Sequence, residues 1–244
     1  MTLEQLLSHE TMITGASSGI GYALAENLAS AGARSLIISG RKPLKLKEAK
    51  ESLLNAGCGN VATVVMDQSQ IATIETGLNQ LFDQGFNPSI LVCNVGINPV
   101  HDSGAKKIHA TDYQQFIDTF TTNVANTFYL VRSCLKGMRE SRFGRIFLIG
   151  SQAYRYGIPG QSSYNVSKSA LVGLMNTLNN EYQKSNITCA LFNIGLVRNQ
   201  RTEKLRKRMN PQSIVSLSEQ EVAERILTAM CRQADSRTLE IDIQ

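Results

Sequence analysis

Seven short β-branched apolar runs alternate with longer amphipathic stretches along the whole of this chain, and that alternation constrains its fold more than any other feature. The runs Thr11–Thr14, Ser35–Ser39, Val61–Met66, Ser89–Asn94, Arg145–Gly150, Ile187–Asn193 and Thr238–Ile243 read as strands. Helical periodicity fills about 19–31, 44–56, 70–84, 111–136, 162–183 and 218–232. Parallel strands cannot be joined by a tight turn; they need a crossover, and right-handed crossovers set helices on the sheet faces. Leu36-Ile37-Ile38 and Ile90-Leu91-Val92-Cys93 are apolar at successive positions, as strands covered on both sides must be. The expectation is an α/β, doubly wound parallel sheet of about seven strands with helices on both faces. No repeat or Pro/Gly linker interrupts it, so residues 1–244 are read as a single domain. Residues 195–217 are polar, basic and out of pattern, and are read as an inserted flap.

The remaining composition excludes classes. A chain of 244 residues buries roughly 70–75% of its unfolded surface without help from disulfides or metals. No run of about 18 apolar residues could span a bilayer. Five scattered cysteines without a C-x-x-C pair, and three unclustered histidines, argue for reduced thiols and against any metal site. Net charge is +5, too mild to imply nucleic acid, but six of the eleven residues from Arg198 to Arg208 are basic. The first ten residues lack the basic start and cleavage site of a secretory signal, which predicts a cytoplasmic protein.

In an open sheet of this kind, ligands bind beyond the carboxyl ends of the strands. Between the first strand and first helix runs Thr14-Gly15-Ala16-Ser17-Ser18-Gly19-Ile20-Gly21. Glycines permit a sharp turn and close approach of backbone to a pyrophosphate, and the helix N-terminus offers unpaired N–H groups. A glycine cluster alone is weak evidence, since tight turns use the same residues. At the end of the second strand, Gly40 stands where a carboxylate would bond a ribose 2′-hydroxyl, and Arg41 follows it. That favours NADP(H) over NAD(H), with a solvated basic turn as the alternative. Asp67, and Asn94 with Gly96, also close strands, where small polar residues are often simply turn formers.

Tyr164 and Lys168 lie at i and i+4 on one helical face, so an ammonium can favour the phenolate of a neighbouring tyrosine. A phenol so placed can transfer a proton. The spacing also arises on any surface helix. Ser151 follows the fifth strand thirteen residues before Tyr164, where its hydroxyl could meet a substrate carbonyl. Asn123 is polar in an apolar helical context, which also suits a backbone-bonding asparagine.

Together, T-G-A-S-S-G-I-G, Asn94-x-Gly96, Asn123, Ser151 and Tyr164-x-x-x-Lys168 resemble the compact branch of the short-chain dehydrogenase/reductase family, in its order and approximate spacing. Phe143-Gly-Arg-Ile and the stretch from Gly157 through Gln161 to Lys168 are most similar to its 3-oxoacyl-carrier-protein reductases and their relatives in secondary metabolism. The resemblance implies a Rossmann-type fold and a catalytic set of Asn123, Ser151, Tyr164 and Lys168. Tyr164 would protonate the carbonyl oxygen and Ser151 would orient it. Lys168 would hold the nicotinamide ribose and depress the tyrosine pKa, and Asn123 would hold a proton-relaying water. Cofactor contacts would come from Thr14, Gly15, Ser17, Ser18, Gly19, Ile20, Gly21, Arg41, Asp67, Gln68, Asn94, Gly96, Tyr164, Lys168 and Val197. Substrate contacts would come from Ser151, Tyr164 and Tyr154, with Tyr156 beside it shaping the pocket.

The chain departs from the family's pattern at several points. Ile194 and Asn199 replace the usual proline and threonine after the sixth strand, Cys93 and Val95 replace an asparagine and an alanine, and no glycine pair follows the last strand. The basic residues Arg198, Arg201, Lys204, Arg206, Lys207 and Arg208 fall in the family's substrate flap. There they could attract a phosphopantetheine or coenzyme A handle, or simply solvate a helix. The expectation is therefore NADPH-dependent reduction of a ketone, such as a 3-oxoacyl thioester, to a secondary alcohol. The substrate would be small or carrier-linked, with no nucleic-acid or membrane partner, and the protein a homodimer or homotetramer. The alternatives are a secondary-alcohol dehydrogenase, a catalytically lapsed nucleotide-binding subunit, and an epimerase or dehydratase on the same scaffold.

Overall fold

The computed structural model describes residues 1–199, 202, 216–232 and 240–243. A seven-stranded, wholly parallel sheet runs through it. Its strands are β1 (Glu10–Ile13), β2 (Ser35–Gly40), β3 (Val61–Val65), β4 (Ile90–Cys93), β5 (Gly144–Ser151), β6 (Ile187–Ile194) and β9 (Glu240–Ile243), ordered β3-β2-β1-β4-β5-β6-β9. A separate two-stranded pair, β7 (Val197–Arg198) and β8 (Leu217–Ser218), joins the two ends of the 195–217 segment. The expected alternating pattern is thus realised. Most of the segment read as a flap, including Arg201, Lys204, Arg206, Lys207 and Arg208, lies outside the described residues, as do Thr238 and Leu239 of the seventh expected strand.

Successive strand residues face opposite sides and feed two separate cores. Ile13, Ile38, Val92, Phe147 and Phe192 pack with Leu24 and Leu28 of α2 (Gly19–Ser30), Leu46 and Leu53 of α3 (Pro43–Asn55), and Val222 and Ile226 of the helix Glu219–Arg232, here α10. Met12, Ile37, Leu91, Leu148 and Leu191 face the other way. They pack with Ile74 and Leu78 of α4 (Ile71–Asp83), Leu130 and Cys134 of α7 (Asn126–Glu140), and Leu171 and Met175 of α9 (Ser162–Tyr182). Phe147 and Phe192 stack with ring centroids 5.4 Å apart across the β5–β6 pair. No helix among the described residues is long and apolar enough to cross a membrane.

One expected helix is not continuous. The stretch 111–136 forms α6 (Tyr113–Phe120), a π-helical turn over Thr121–Ala125, and then α7. A π turn widens the helix by one residue and breaks the i to i−4 ladder, which happens where a helix must present a side chain or free carbonyl to something outside it. Here that side chain is Asn123. The short helices α1 (Leu3–Ser8), α5 (Val100–Ser103) and α8 (Ala153–Tyr156) carry too few turns to leave a periodic trace in the sequence.

Strand order reverses between β1 and β4: the chain steps outward from β1 through β2 to β3, then returns to β4 on the other side of β1. The crevice that such a reversal opens lies at the carboxyl ends of these two strands, at Thr14 and Asn94.

Candidate active site

Thr14 and Asn94 knit the two switch-point strands together. The Thr14 amide and hydroxyl both donate to Val92 O, at 3.0 and 3.4 Å. The same hydroxyl oxygen accepts from the Asn94 and Val95 amides at 3.0 and 3.3 Å, and the Asn94 carboxamide donates to Thr14 O at 3.0 Å. Asn94, expected on the adenosine-side ribose, spends its side-chain amide on holding the crevice's base.

Above this base the chain turns through Gly15 (φ +65°) and Gly19 (φ +64°), left-handed conformations that favour glycine. A Cβ on Gly21 would lie 2.6 Å from Asn94 Nδ2 and 2.8 Å from Gly15 O, so no side chain fits there. Ser18 caps α2 in an extended conformation but makes no side-chain cap bond, leaving the first N–H groups of the helix open. Such a cradle fits a dinucleotide pyrophosphate. Ser17 reaches across to β2: a Cβ on Gly40 would meet Ser17 Oγ at 2.8 Å, so any side chain at that position would require Ser17 to shift. Arg41 is exposed at the rim, and no carboxylate among the described residues pairs with it.

Other expected contacts are committed to the protein itself. Asp67 Oδ1 accepts from the amide and hydroxyl of Ser69 at 3.0 and 2.8 Å. Gln68 is buried and turned toward the π turn, its amide donating to Thr127 Oγ1 at 3.0 Å and to Thr122 O at 3.4 Å. Val197 is buried in the α2-side core, and its carbonyl accepts from the Thr202 hydroxyl, so its side chain is not available to a ligand. Ile20 packs against the same core.

Asn123 is 1% exposed and fully engaged in tying two elements together. Its Oδ1 accepts from the Ile97 amide at 2.8 Å, while its Nδ2 donates to Ile97 O and to Ser167 Oγ, both at 2.9 Å. Ser167 in turn donates to Tyr164 O at 2.8 Å. The loop after β4 is thereby fastened to the turn of α9 that carries Tyr164 and Lys168. Both donors of the Asn123 side chain are spent on protein partners. Ser167 and Ile97 escaped notice in the sequence because nothing local links them to a residue 26 positions from Ile97 and 44 from Ser167.

Lys168 is 3% exposed, donates to Ile149 O at 2.8 Å and lies 5.7 Å from the Tyr164 ring centroid. A Cβ on Gly96 would sit 2.9 Å from its ammonium, so Gly96 is required for the lysine to stand where it does. Burial lowers the Lys168 pKa to about 8, opposed by the neighbouring Cys93 thiol. Burial raises the Tyr164 phenol, and its hydrogen bond with Ser151 opposes that rise. Ser151 also caps α8, accepting from the Ala153 amide at 3.2 Å. Cys93, Cys134 and Cys189 form a buried thiol group beneath the lysine; burial pushes Cys134 up to about 12 and the other two upward as well, which keeps all three protonated.

Tyr154 departs from its expected place in the substrate pocket. Its hydroxyl bonds Glu240 and its ring lies under the Arg155 guanidinium, which also pairs with Glu240 and, at 2.6 Å, with Asp242 of β9. Tyr156 is 72% exposed. Asn199, in the position of the family's nicotinamide-gripping threonine, donates instead to Glu219 Oε1 at 2.9 Å.

The switch-point cradle and the Ser151–Tyr164–Lys168 group define a dinucleotide-dependent α/β enzyme. Comparison with known proteins makes the class specific. The profile of the short chain dehydrogenase family matches residues 10–210. The chain is 36% identical to the 3-oxoacyl-[acyl-carrier-protein] reductase of Rickettsia prowazekii over 83% of its length and 78% of the relative's. It is 29% identical to the enzyme of that name from Escherichia coli over 80% of its length and 75% of the relative's. A solved short chain dehydrogenase/reductase family protein superimposes with a TM-score of 0.80 at 27% identity, covering 97% of each chain. A 3-oxoacyl-[acyl-carrier protein] reductase with bound NAD from Brucella melitensis shares the fold, with a TM-score of 0.83 at 23% identity over 100% of this chain and 94% of that one. The chain belongs to the short chain dehydrogenase family, and is an oxidoreductase acting on CH–OH or keto groups with a nicotinamide cofactor.

The buried lysine carries a pH signature. Its pKa falls from 10.5 to about 8 on folding, so between those values the unfolded chain binds a proton that the folded chain does not. Stability attributable to Lys168 therefore rises with pH through that window. Denaturant titrations of the wild type and of Lys168→Met at a series of pH values should show the wild type gaining on the variant from about pH 8 to 10.5. A difference that stays constant there would remove the depressed lysine from the description.

Proposed function

We propose that this protein reduces the keto group of a 3-oxoacyl thioester to a secondary alcohol with NADPH, and that the observation carrying this reading is the buried Lys168 ammonium, held on Ile149 O at 2.8 Å and 5.7 Å from the Tyr164 ring centroid, with Ser151 closing β5. When bound, the nicotinamide supplies the hydride that adds to the carbonyl carbon. Ser151 donates to the carbonyl oxygen, orienting the group and drawing electron density from carbon. Tyr164 gives that oxygen its proton as the C=O becomes C–OH. The phenolate left behind is stabilised by Ser151 and recharged through Lys168, whose pKa of about 8 lets it gain and lose a proton near neutrality. Asn123, through Ile97 and Ser167, holds these groups to within the small tolerance that proton transfer allows.

Preference for NADPH rests on Gly40 and Arg41. Gly40 presents no carboxylate to a ribose, and the exposed Arg41 guanidinium offers charge-assisted hydrogen bonds to a 2′-phosphate. The acyl thioester, and a carrier protein as its handle, follow the printed names of the relatives and the basic composition of residues 198–208. In this reading residues 1–244 form one nucleotide-binding domain with a substrate flap at 195–217. The protein works in the cytoplasm as a homodimer or homotetramer, and the exposed Phe128 of α7 and Val166 of α9 offer apolar faces for self-association.

Two measurements separate the parts of the proposal. Tyr164→Phe should bind NADPH about as tightly as the wild type yet lose kcat with a 3-oxoacyl thioester by roughly 10²–10⁴-fold, the size of a general-acid contribution; near-normal kcat would refute the proton donor. Arg41→Ala should weaken NADPH binding by about 10–100-fold, read by dihydronicotinamide fluorescence, while leaving NADH binding unchanged. Equal effects on both dinucleotides would refute the 2′-phosphate contact.

A further inference from the structure

The dinucleotide reading places a pyrophosphate, with its negative charges, against the turn Gly15–Gly21 and the open N–H groups of α2. A carboxylate of the protein stands beside this turn. Glu219, first residue of α10, lies with its Oε1 3.5 Å and its Cδ 3.8 Å from where a Cβ on Gly19 would be. The position is fixed from several sides. Val222, Ala223 and Ile226 bury α10 in the core that also receives α2, and Gln220 Nε2 donates to Asn27 Oδ1 of α2 at 2.7 Å. Asn199 Nδ2 donates to the carboxylate at 2.9 Å, and Asn199 is itself locked by Thr202, whose amide donates to Asn199 Oδ1 at 3.0 Å. Among the described residues no cation pairs with Glu219. Nor is the carboxylate needed to cap its helix: Ser218 and Glu221 do that, the Ser218 amide donating to Glu221 Oε2 at 2.7 Å and the Glu221 amide to Ser218 Oγ at 3.2 Å.

We propose that Glu219, held over Gly19 by Asn199, is an affinity-setting residue for the cofactor: a resident anion beside the phosphate cradle that opposes the pyrophosphate and hastens dinucleotide exchange. The inference rests on the dinucleotide reading of the cradle. Its physical basis is that like charges brought together at a binding surface cost affinity, whereas the open helix N-terminus favours whichever anion occupies it. Asn199 is the second half of the device. By bonding Glu219 it holds the carboxylate at the phosphate end of the crevice.

The test is a fluorescence titration of NADPH into the wild type, Glu219→Gln and Glu224→Gln. Glutamine keeps the shape and can still accept from Asn199, so a purely structural role would leave binding unchanged. Glu224, exposed on α10 and bonded to Gln220, controls for loss of one charge on the same helix. Glu219→Gln should bind NADPH roughly tenfold more tightly at low salt, with the gain shrinking as salt approaches about 1 M, and Glu224→Gln should match the wild type. Unchanged or weaker binding by Glu219→Gln overturns the inference and leaves the dinucleotide reading intact. Failure of all three proteins to bind either NADPH or NADH overturns both.

Discussion

The structure depends on one buried carboxamide. Asn123 makes three hydrogen bonds, to both backbone groups of Ile97 and to Ser167, and they join the loop after a central strand to the helix that carries the tyrosine and lysine. Asn123 sits in the π turn over Thr121–Ala125, where the regular i to i−4 ladder is interrupted. Buried amides left unpaired are costly, and loss of the Asn123 carboxamide would take a partner from the Ile97 amide, the Ile97 carbonyl and the Ser167 hydroxyl at once. Gly96 completes the junction, since any side chain there would strike the Lys168 ammonium.

A second junction, between Thr14 and Asn94, does for the cofactor cradle what Asn123 does for the reacting groups. Two adjacent parallel strands end in Thr14, whose hydroxyl accepts from the Asn94 amide, and Asn94, whose carboxamide donates to Thr14 O, and this fixes the floor against which Gly15 and Gly21 are packed. Asn94 and Asn123, both expected at the ligand, also hold the frame. The groups left to face a ligand are the backbone N–H groups of the glycine turn, Arg41 at the rim, and the Ser151, Tyr164 and Lys168 side chains. That division suits an enzyme whose hydride comes from a cofactor and whose own contribution is placement and proton supply.

Much of this was legible in the sequence because it is local. Strand and helix periodicities are written in consecutive residues, so the sheet and its principal helices could be anticipated to within a few positions. The glycine turn and the Tyr164/Lys168 spacing are equally short-range. What could not be read are contacts between residues remote in the chain. Tyr154 looked like a pocket residue until β9, 86 positions away, supplied Glu240 as its partner. Gln68 closes a strand, as a cofactor residue would, yet its amide is drawn to Thr127. The break in the expected helix 111–136 follows from Asn123 meeting Ile97, and the placement of Glu219 at Gly19 joins opposite ends of the chain. Burial that raises the Tyr164 phenol and lowers the Lys168 ammonium is likewise a property of the packed fold and not of the i, i+4 spacing.

If the Asn123 tie governs the geometry of the reacting groups, weakening it without emptying its space should cost turnover far more than it costs cofactor binding. The decisive measurement is kcat for Asn123→Asp with NADPH and a 3-oxoacyl thioester, both saturating. The substitution keeps the acceptor for the Ile97 amide and removes both donors. The expected result is a fall of about a hundredfold, the scale at which small misplacement of reacting groups is felt, with NADPH affinity changed little. A kcat within twofold of the wild type would contradict the account.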